Sequence, residues 1–268
     1  MIISTEQLQQ NLHDTNILVI DSRSFKEYSQ GHIPGAVNLD LFAFHWLDTS
    51  EKGITSFNEQ MRKILSFAGI DENKKIIFYD NVSGMLAARG VWLCLYFSHH
   101  NVYMLDGGLK KWIANNLELE TKSNPFSPSD LKSPIDSSIM VGFDDLRDNL
   151  GKATIIDARS PDEFNGIVSR AAREGHIPSA INLDWVENLD ENGTLKSDKE
   201  LQKLYQFDKD SKMITYCQGA YRAANSFLAL KKLGFKNIKV YLGSWGEWGN
   251  RLEPVSYTHL TLPTTPYV

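Results

Sequence analysis

The chain contains two copies of one pattern, and this internal duplication limits its possible folds more than any other feature. An apolar run leads into Asp21-Ser22-Arg23-Ser24 in the first copy and into Asp157-Ala158-Arg159-Ser160 in the second. Residues 31–40 and 175–184 then share Gly-His-Ile-Pro and Asn-Leu-Asp, and the longer spacing in the second copy places an eight-residue insertion at 166–173. We therefore predict two similar domains rather than one large one.

Strand and helix patterns alternate within each copy. Short runs rich in β-branched residues predict strands at 17–20, 76–79, 154–156, 213–216 and 238–241. Two Ser-x-x-Glu capping boxes, Ser56 with Glu59 and Ser197 with Glu200, predict the starts of two helices. Such alternation is typical of parallel sheets covered by helices on both faces, so each half is predicted to be a compact α/β domain.

The composition changes between the copies and again at the end of the chain. Segment 121–136 has three prolines among Ser, Lys and Asp without an apolar period, which is typical of a linker. We therefore assign 1–120 to the first domain and 137–255 to the second. The tail, 256–268, lacks Asp, Glu, Lys and Arg and has no counterpart after the first copy, so we expect it to be disordered or non-native.

Charge and hydropathy exclude several classes of function. The 28 Lys+Arg and 33 Asp+Glu give a formal net charge of −5, which argues against nucleic acid as a partner. Apolar runs fall short of the roughly 20 residues that cross a bilayer, and the first residues do not resemble a signal peptide. We expect a cytoplasmic protein without a membrane partner. Two cysteines far apart in sequence, Cys94 and Cys217, indicate neither a disulfide framework nor a metal site.

The two cysteines have contrasting surroundings. Cys94 lies in the apolar helical stretch 91–97, with no Arg, Lys or His close by on the chain, and is predicted to be in the core. Cys217 follows an apolar strand and precedes a helix predicted over 223–232. The amides of a helix N-terminus and the charge of Arg222 favour a thiolate there. We therefore expect Cys217 to be a nucleophile that is largely ionised at neutral pH, whereas the first copy has Asp80 at the equivalent position.

Four motifs together resemble the tandem-domain rhodanese family of sulfurtransferases, over most of residues 4–254. They are Asp-x-Arg, Gly-His-Ile-Pro-x-Ala-x-Asn, the strand-end cysteine with its loop, and Gly-x-Trp-x-x-Trp at 243–248. The resemblance implies two rhodanese domains, each with a five-stranded parallel sheet between helices. It also implies an inactive N-terminal domain and a catalytic C-terminal one, which agrees with Asp80 and Cys217.

The resemblance further assigns roles to the residues around Cys217. The cysteine would take a sulfane sulfur from a small anionic donor as a persulfide and pass it to cyanide or to a thiol, for example that of thioredoxin. Arginine suits an anionic donor, and Arg222, Arg173 and Arg170 are the candidates, with Arg173 expected to matter more than Arg170. An ionised cysteine needs no general base, and no cofactor is expected. The backbone amides that would surround the sulfur belong to Gln218, Gly219, Ala220, Tyr221 and Arg222.

The loop sequence leaves the donor and the reaction class open to alternatives. Residues 217–222 lack the Ser and Thr hydroxyls associated with 3-mercaptopyruvate, which favours thiosulfate, but basic residues directly after the cysteine are missing too. A cysteine phosphatase is a rival, although its signature has five residues between Cys and Arg and this loop has four. A non-catalytic binding module is a second rival, and the intact Cys217 loop disfavours it.

Residues that occur in both copies are interpreted as structural. His32 and His176 are predicted to form hydrogen bonds within the fold rather than to act as acids or bases. The same comparison makes Asp157 and Arg159, matched by Asp21 and Arg23, an internal ion pair. Trp112 and Trp248 are predicted to be packing anchors.

Overall fold

The computed structural model describes residues 1–251, which form two α/β domains. The predicted tail, 256–268, lies outside the described residues. The elements of the first domain are β1 (Ile2–Ile3), α1 (Thr5–Gln10), β2 (Ile17–Asp21), α2 (Phe25–Gln30), β3 (Val37–Asn38), α3 (Glu51–Phe67), β4 (Lys75–Tyr79), α4 (Met85–Tyr96), β5 (Val102–Leu105) and α5 (Gly108–Ala114).

The second domain repeats this order of elements. They are β6 (Met140–Val141), α6 (Phe143–Asp148), β7 (Thr154–Asp157), α7 (Pro161–Phe164), β8 (Ile181–Asn182), α8 (Asp198–Leu204), β9 (Met213–Tyr216), α9 (Tyr221–Lys232), β10 (Ile238–Tyr241) and α10 (Ser244–Trp248). Within residues 1–251, no helix is both long and apolar enough to cross a bilayer.

Each domain contains one parallel five-stranded sheet, and the two sheets have the same topology. The strand orders are β1-β5-β4-β2-β3 and β6-β10-β9-β7-β8. Every recorded strand pair is parallel, with Asp21 paired to Tyr79 in the first sheet and Asp157 to Tyr216 in the second. The inner strands β4 and β9 are buried almost throughout, as expected when helices cover both faces of a sheet. The predicted fold is confirmed.

Two helix starts differ from the prediction. The Ser197 box is present and begins α8, but Ser56 lies inside α3, so the predicted helix start at Ser56 is wrong. The N-cap is Ser50, whose Oγ accepts the amide of Gly53 at 3.1 Å. Helix α9 begins at Tyr221, two residues before the prediction, because the end of the cysteine loop already has helical geometry.

The connecting segment 121–136 is attached to the first domain. All of its residues are described, and they form no helix or strand. Arg62 in α3 donates through Nη1 to the carbonyls of Leu131 and Ser133, at 2.9 and 2.8 Å, and Leu131 is buried. The linker composition therefore predicted the absence of regular structure, while these contacts hold the segment in place.

The two domains share a buried interface in which α4 packs against α9. One core cluster includes side chains of both helices. Hydrogen bonds cross the interface from Tyr221 Oη to the Leu41 carbonyl and from Asn225 Nδ2 to the Ser83 carbonyl, both at 2.8 Å. The carboxyl end of β9 lies beside this interface, so residues of the first domain can reach the Cys217 loop.

Candidate active site

Cys217 lies directly after β9, with only 1% of its surface exposed. Its carbonyl accepts the amide of Trp245, and the carbonyl of Gln218 accepts the amide of Gly246, both at 2.9 Å. The first turn of α10 therefore holds the start of the loop. The loop covers only 217–220, because Tyr221 and Arg222 already belong to α9.

Ser244 supports the same loop and was missed by the sequence analysis. Its Oγ accepts the amides of Cys217 and Ala220, at 3.2 and 3.0 Å, and donates to the Tyr241 carbonyl. The expectation that the Ala220 amide would face the sulfur is therefore corrected, since this donor already bonds to Ser244. The sequence signal that could have indicated Ser244 was a difference between the two copies, because the first copy has Gly108 at the equivalent position.

The backbone at these two positions explains why the mismatch matters. Gly108 and Ser244 both have left-handed φ angles, 54° and 53°, a region that disfavours side chains. A Cβ at Gly108 would lie 2.4 Å from the Asp80 carbonyl. The second loop is one residue shorter, 217–220 against 80–84, and it accepts the serine side chain despite the strained φ.

Asp80 occupies an amide cradle in the first copy. Its carboxylate accepts the amides of Val82, Leu86 and Ala87 at 3.0–3.1 Å. Burial raises the pKa of Asp80 to about 6, although these amides act in the opposite direction. In the second copy, Arg222 and Ala223 occupy the positions of Leu86 and Ala87 at the start of the helix. The first copy thus places a buried carboxyl group against the amides of this turn.

Arg222 forms a bidentate ion pair across the site. Its Nη1 and Nη2 donate to Glu163 in α7, at 2.5 and 2.9 Å. Burial opposes the charge of Arg222, but Glu163 and Cys217 raise its pKa above the ordinary value. Arg222 is thus near the sulfur, as expected, but it shares its charge with a carboxylate that the sequence did not indicate.

The insertion 166–173 packs beside the loop. Gln218 Nε2 donates to the Arg170 carbonyl at 3.2 Å, and the Arg173 amide donates to the Gly249 carbonyl at 3.0 Å. The Arg170 residue is exposed, whereas Arg173 is half-buried. The structure therefore brings the main chain of both candidates to the vicinity of the Cys217 loop and α10.

Residues of the first domain cover the other side of the loop. A Cβ on Gly219 would lie 1.8 Å from Cε1 of His45, so a side chain there would displace the His45 ring. The His45 ring is parallel to that of Tyr221 at 5.8 Å. The buried guanidinium of Arg89 also lies over the Tyr221 ring, 5.5 Å from its centroid. Sequence analysis missed His45 and Arg89, because both reach the loop only across the domain interface.

The residues repeated in both copies have structural partners, as expected. Arg159 pairs with Asp157 at 2.6 Å, and Arg23 with Asp21 at the same distance. Nδ1 of His176 lies 2.9 Å from the Phe164 carbonyl. Two further residues follow the same interpretation: His32 bonds equivalently to the Tyr28 carbonyl, and Trp248 is fully buried.

Cys94 is buried in the interface core, and burial raises its pKa above the ordinary thiol value. The predicted core position is confirmed, and a neutral thiol is favoured there.

A family model of the rhodanese-like domain matches residues 4–115 and again 143–251. The chain belongs to the rhodanese family. Each matched range contains four of the five strands of one sheet, so each half of the chain corresponds to one family domain.

Named relatives cover nearly the whole chain. The sulfur carrier protein TtuD of Thermus thermophilus is 32% identical, over 93% of this chain and 94% of its own. A thiosulfate sulfurtransferase of Pseudomonas aeruginosa is 29% identical, over 93% and 94%. The crystal structure of SseA from Escherichia coli, described among 3-mercaptopyruvate sulfotransferases, is 30% identical with a TM-score of 0.76, covering 91% of this chain and 98% of its own.

Proposed function

We propose that this rhodanese is a sulfurtransferase that moves a sulfane sulfur from thiosulfate to a thiophilic acceptor through a persulfide on Cys217. The observation that carries the proposal is the placement of Cys217 at the end of β9, against the start of α9 and beside Arg222. A thiolate is favoured in such a place. The names of the relatives, which include a sulfur carrier and a sulfurtransferase, agree with this reading.

The reaction consists of two displacements at sulfur. The Cys217 thiolate attacks the outer sulfur of thiosulfate, a new S–S bond forms, and sulfite leaves with the electron pair of the broken S–S bond. The acceptor then attacks the outer sulfur of the persulfide and restores the thiolate. Cyanide gives thiocyanate in this second step, and a thiol such as that of thioredoxin gives its own persulfide. Both steps concentrate negative charge at Cys217, for which nearby arginines are suited.

The first domain is proposed to be non-catalytic. Asp80 stands at the cysteine position, and its carboxylate fills the amide cradle. No thiol therefore takes the place of Cys217 in that loop, 80–84. We assign the chemistry to the second domain, 137–255, and a supporting role to the first, 1–120.

We assign thiosulfate rather than 3-mercaptopyruvate as the donor because the loop offers no free hydroxyl group. Residues 218–220 carry no hydroxyl, and the hydroxyl of Ser244 is already bonded to the backbone. The 30% identity to SseA supports the alternative donor. Parallel kinetics with both donors decide between them, and a larger kcat/KM for 3-mercaptopyruvate would reverse the assignment.

The test of the proposal uses the two cysteines as a matched pair. The protein incubated with thiosulfate is expected to gain the mass of one sulfur atom and to lose it on addition of cyanide, with thiocyanate as the product. Cys217→Ser should abolish both signals, while Cys94→Ser should keep most of the activity because Cys94 is in the core. Full activity in Cys217→Ser, or a stable phosphate adduct with a phosphoryl donor, would contradict the proposal.

A further inference from the structure

Arg89 is a buried cation at the domain interface, only 2% exposed. It belongs to α4 of the first domain, and its guanidinium lies over the rings of Trp92 and Tyr221, at 4.6 and 5.5 Å from their centroids. Its Nη1 is buried and has no hydrogen-bond partner. Within residues 1–251, no carboxylate forms an ion pair with it. A buried charge without an acceptor is unfavourable, so this guanidinium lacks an anion.

The nearby sulfur is the candidate for that anion. Burial lowers the pKa of Arg89, and the negative forms of Tyr221 and Cys217 raise it. Tyr221 directly follows the Cys217 loop, and its hydroxyl already donates to the Leu41 carbonyl. Tyr221 is therefore a neutral donor in this structure, which leaves the sulfur of Cys217 to provide the negative charge.

The internal symmetry points to the same loop. Arg89 is the fifth residue of α4, and Asn225 is the fifth residue of α9. Asn225 reaches across the interface and donates to the Ser83 carbonyl, in the loop that contains Asp80. By the same symmetry, Arg89 of α4 is expected to face the loop that contains Cys217. The neutral side chain of Asn225 thus faces the loop that contains the Asp80 carboxylate, and the charged side chain of Arg89 faces the loop that contains the sulfur.

We propose that Arg89 is the counter-charge for the sulfur of Cys217, so that the non-catalytic domain stabilises the thiolate and then the persulfide anion in the other domain. The effect on turnover rests on the proposed sulfur transfer, whereas the effect on thiol ionisation does not. Arg222 cannot fill this role alone, because it is shared with Glu163. The Arg89 guanidinium lies over the rings of Phe57, Trp92 and Tyr221, so its position is fixed before the sulfur becomes charged.

Several other titratable groups surround the loop and set the background for any pH measurement. They are Arg222 with its partner Glu163, Asp184 near Arg222, His45 against Gly219, and Tyr221 with Asp40 nearby. None of these residues is substituted in the variants described below.

The test compares two arginines of the first domain that both lie over aromatic rings. Arg89→Met removes the proposed counter-charge, and Arg62→Met removes a guanidinium that lies over Phe97 and bonds to two carbonyls of the linker. The readout is the pH dependence of Cys217 alkylation by iodoacetamide, with Cys94→Ser as the common background. We expect the midpoint to rise by about one pH unit or more in Arg89→Met and to stay unchanged in Arg62→Met. Arg89→Lys should recover part of the difference.

Turnover gives an independent readout. At neutral pH, kcat/KM with thiosulfate should fall about tenfold in Arg89→Met, because the transition state brings an anionic donor to a sulfur that has lost its counter-charge, and should stay within about twofold in Arg62→Met. An unchanged midpoint in a folded Arg89→Met, or equal shifts in both variants, overturns the inference. If the midpoint shifts but the parent forms no persulfide, the proposed function fails and the counter-charge stands.

A measurement on the parent protein covers the case in which Arg89→Met does not fold. The side-chain Nε–H resonance of Arg89, assigned with Arg89→Lys, should move when Cys217 is alkylated and its charge is lost. The resonance of Arg62 should stay in place. An Arg89 resonance that does not respond to alkylation overturns the inference.

Discussion

Asp80 and Cys217 occupy equivalent positions after β4 and β9, and the residues around them differ accordingly. The carboxylate of Asp80 accepts the amide of Val82 in its own loop and that of Ala87 in α4. Around Cys217, the amides of residues 217 and 220 bond to Ser244, Arg222 lies nearby, and Arg89 is the proposed counter-charge. The chemical difference between the copies therefore rests on few side chains within a shared backbone.

Glu163 should make stability depend on pH through its pair with Arg222. Burial opposes ionisation, but Arg222 and Ser160 lower the pKa of Glu163 from 4.5 to about 2. Because the folded-state pKa is depressed, the stabilisation is complete above about pH 4.5 and is lost as the pH falls towards 2. Glu163→Gln should therefore reduce the free energy of unfolding by about 3 kcal/mol at pH 7, and by less at pH 3. Urea unfolding at both pH values measures this.

The matched control is Glu27→Gln in the first copy. Glu27 closes the same capping box with Ser24, but its other partner is the amide of Asn81 rather than an arginine. Glu27→Gln should lower the free energy of unfolding at pH 7 by less than Glu163→Gln does. Equal losses in the two variants, or a Glu163→Gln deficit that does not depend on pH, would contradict the assigned ion pair.

At the level of elements, the insertion 166–173 is what the second copy adds to the shared fold. It lies between α7 and β8, bonds to Gln218 of the loop, and bonds to Gly249 directly after α10. Insertions are tolerated in surface loops, so position alone does not give this one a function. Its two arginines, close to the proposed site of an anionic donor, do suggest one.

Arg173→Ala should lower kcat/KM with thiosulfate by roughly ten- to a hundredfold, mostly through a higher KM, because one charged hydrogen-bonding partner of the donor is lost. Arg170→Ala should have a smaller effect, since exposed charges are screened more than half-buried ones. Steady-state kinetics of both variants make the comparison. If both match the parent, the insertion is a surface loop, and the anion is held by other residues.

At the scale of the whole molecule, buried polar contacts join the two domains. Thr49 of the first domain donates through Oγ1 to Glu247 at 2.6 Å and accepts the amide of Phe143 at 2.8 Å. The packed helices α4 and α9 extend the apolar core across the same boundary. The first domain thus contributes to the second domain's stability as well as to the surroundings of its cysteine.

We expect residues 1–251 to unfold in one cooperative transition, with urea curves from circular dichroism and tryptophan fluorescence coinciding. Thr49→Val should lower the free energy of unfolding by about 1–3 kcal/mol without splitting the transition, because the Phe143 amide loses its acceptor and the Glu247 carboxylate loses a donor. Thr55→Val is the control, since Thr55 is exposed and bonds only within α3. Two separate transitions in the parent protein would show that the domains are independent.

The amino-acid sequence determined the features that depend on neighbours along the chain. Strands Met213–Tyr216 and Ile238–Tyr241 agree with their predicted bounds, because their apolar runs are short and end at clear turns. The Ser56 box failed, because the Ser-x-x-Glu pattern also occurs inside a helix and only Ser50 has the extended backbone of an N-cap. The duplication indicated the shared topology and separated Cys217 from the structural residues present in both copies.

Only the tertiary structure decided which groups surround Cys217. Glu163 closes a capping box with Ser160, but its pairing with Arg222 joins residues 59 positions apart. Ser244 lies 27 residues after Cys217, and Arg89 and His45 come from the other domain. Local patterns encode helices and strands because backbone hydrogen bonding depends on near neighbours. The charges and donors around a reactive group depend on which distant segments pack together, and here that was set by the contact of α4 with α9.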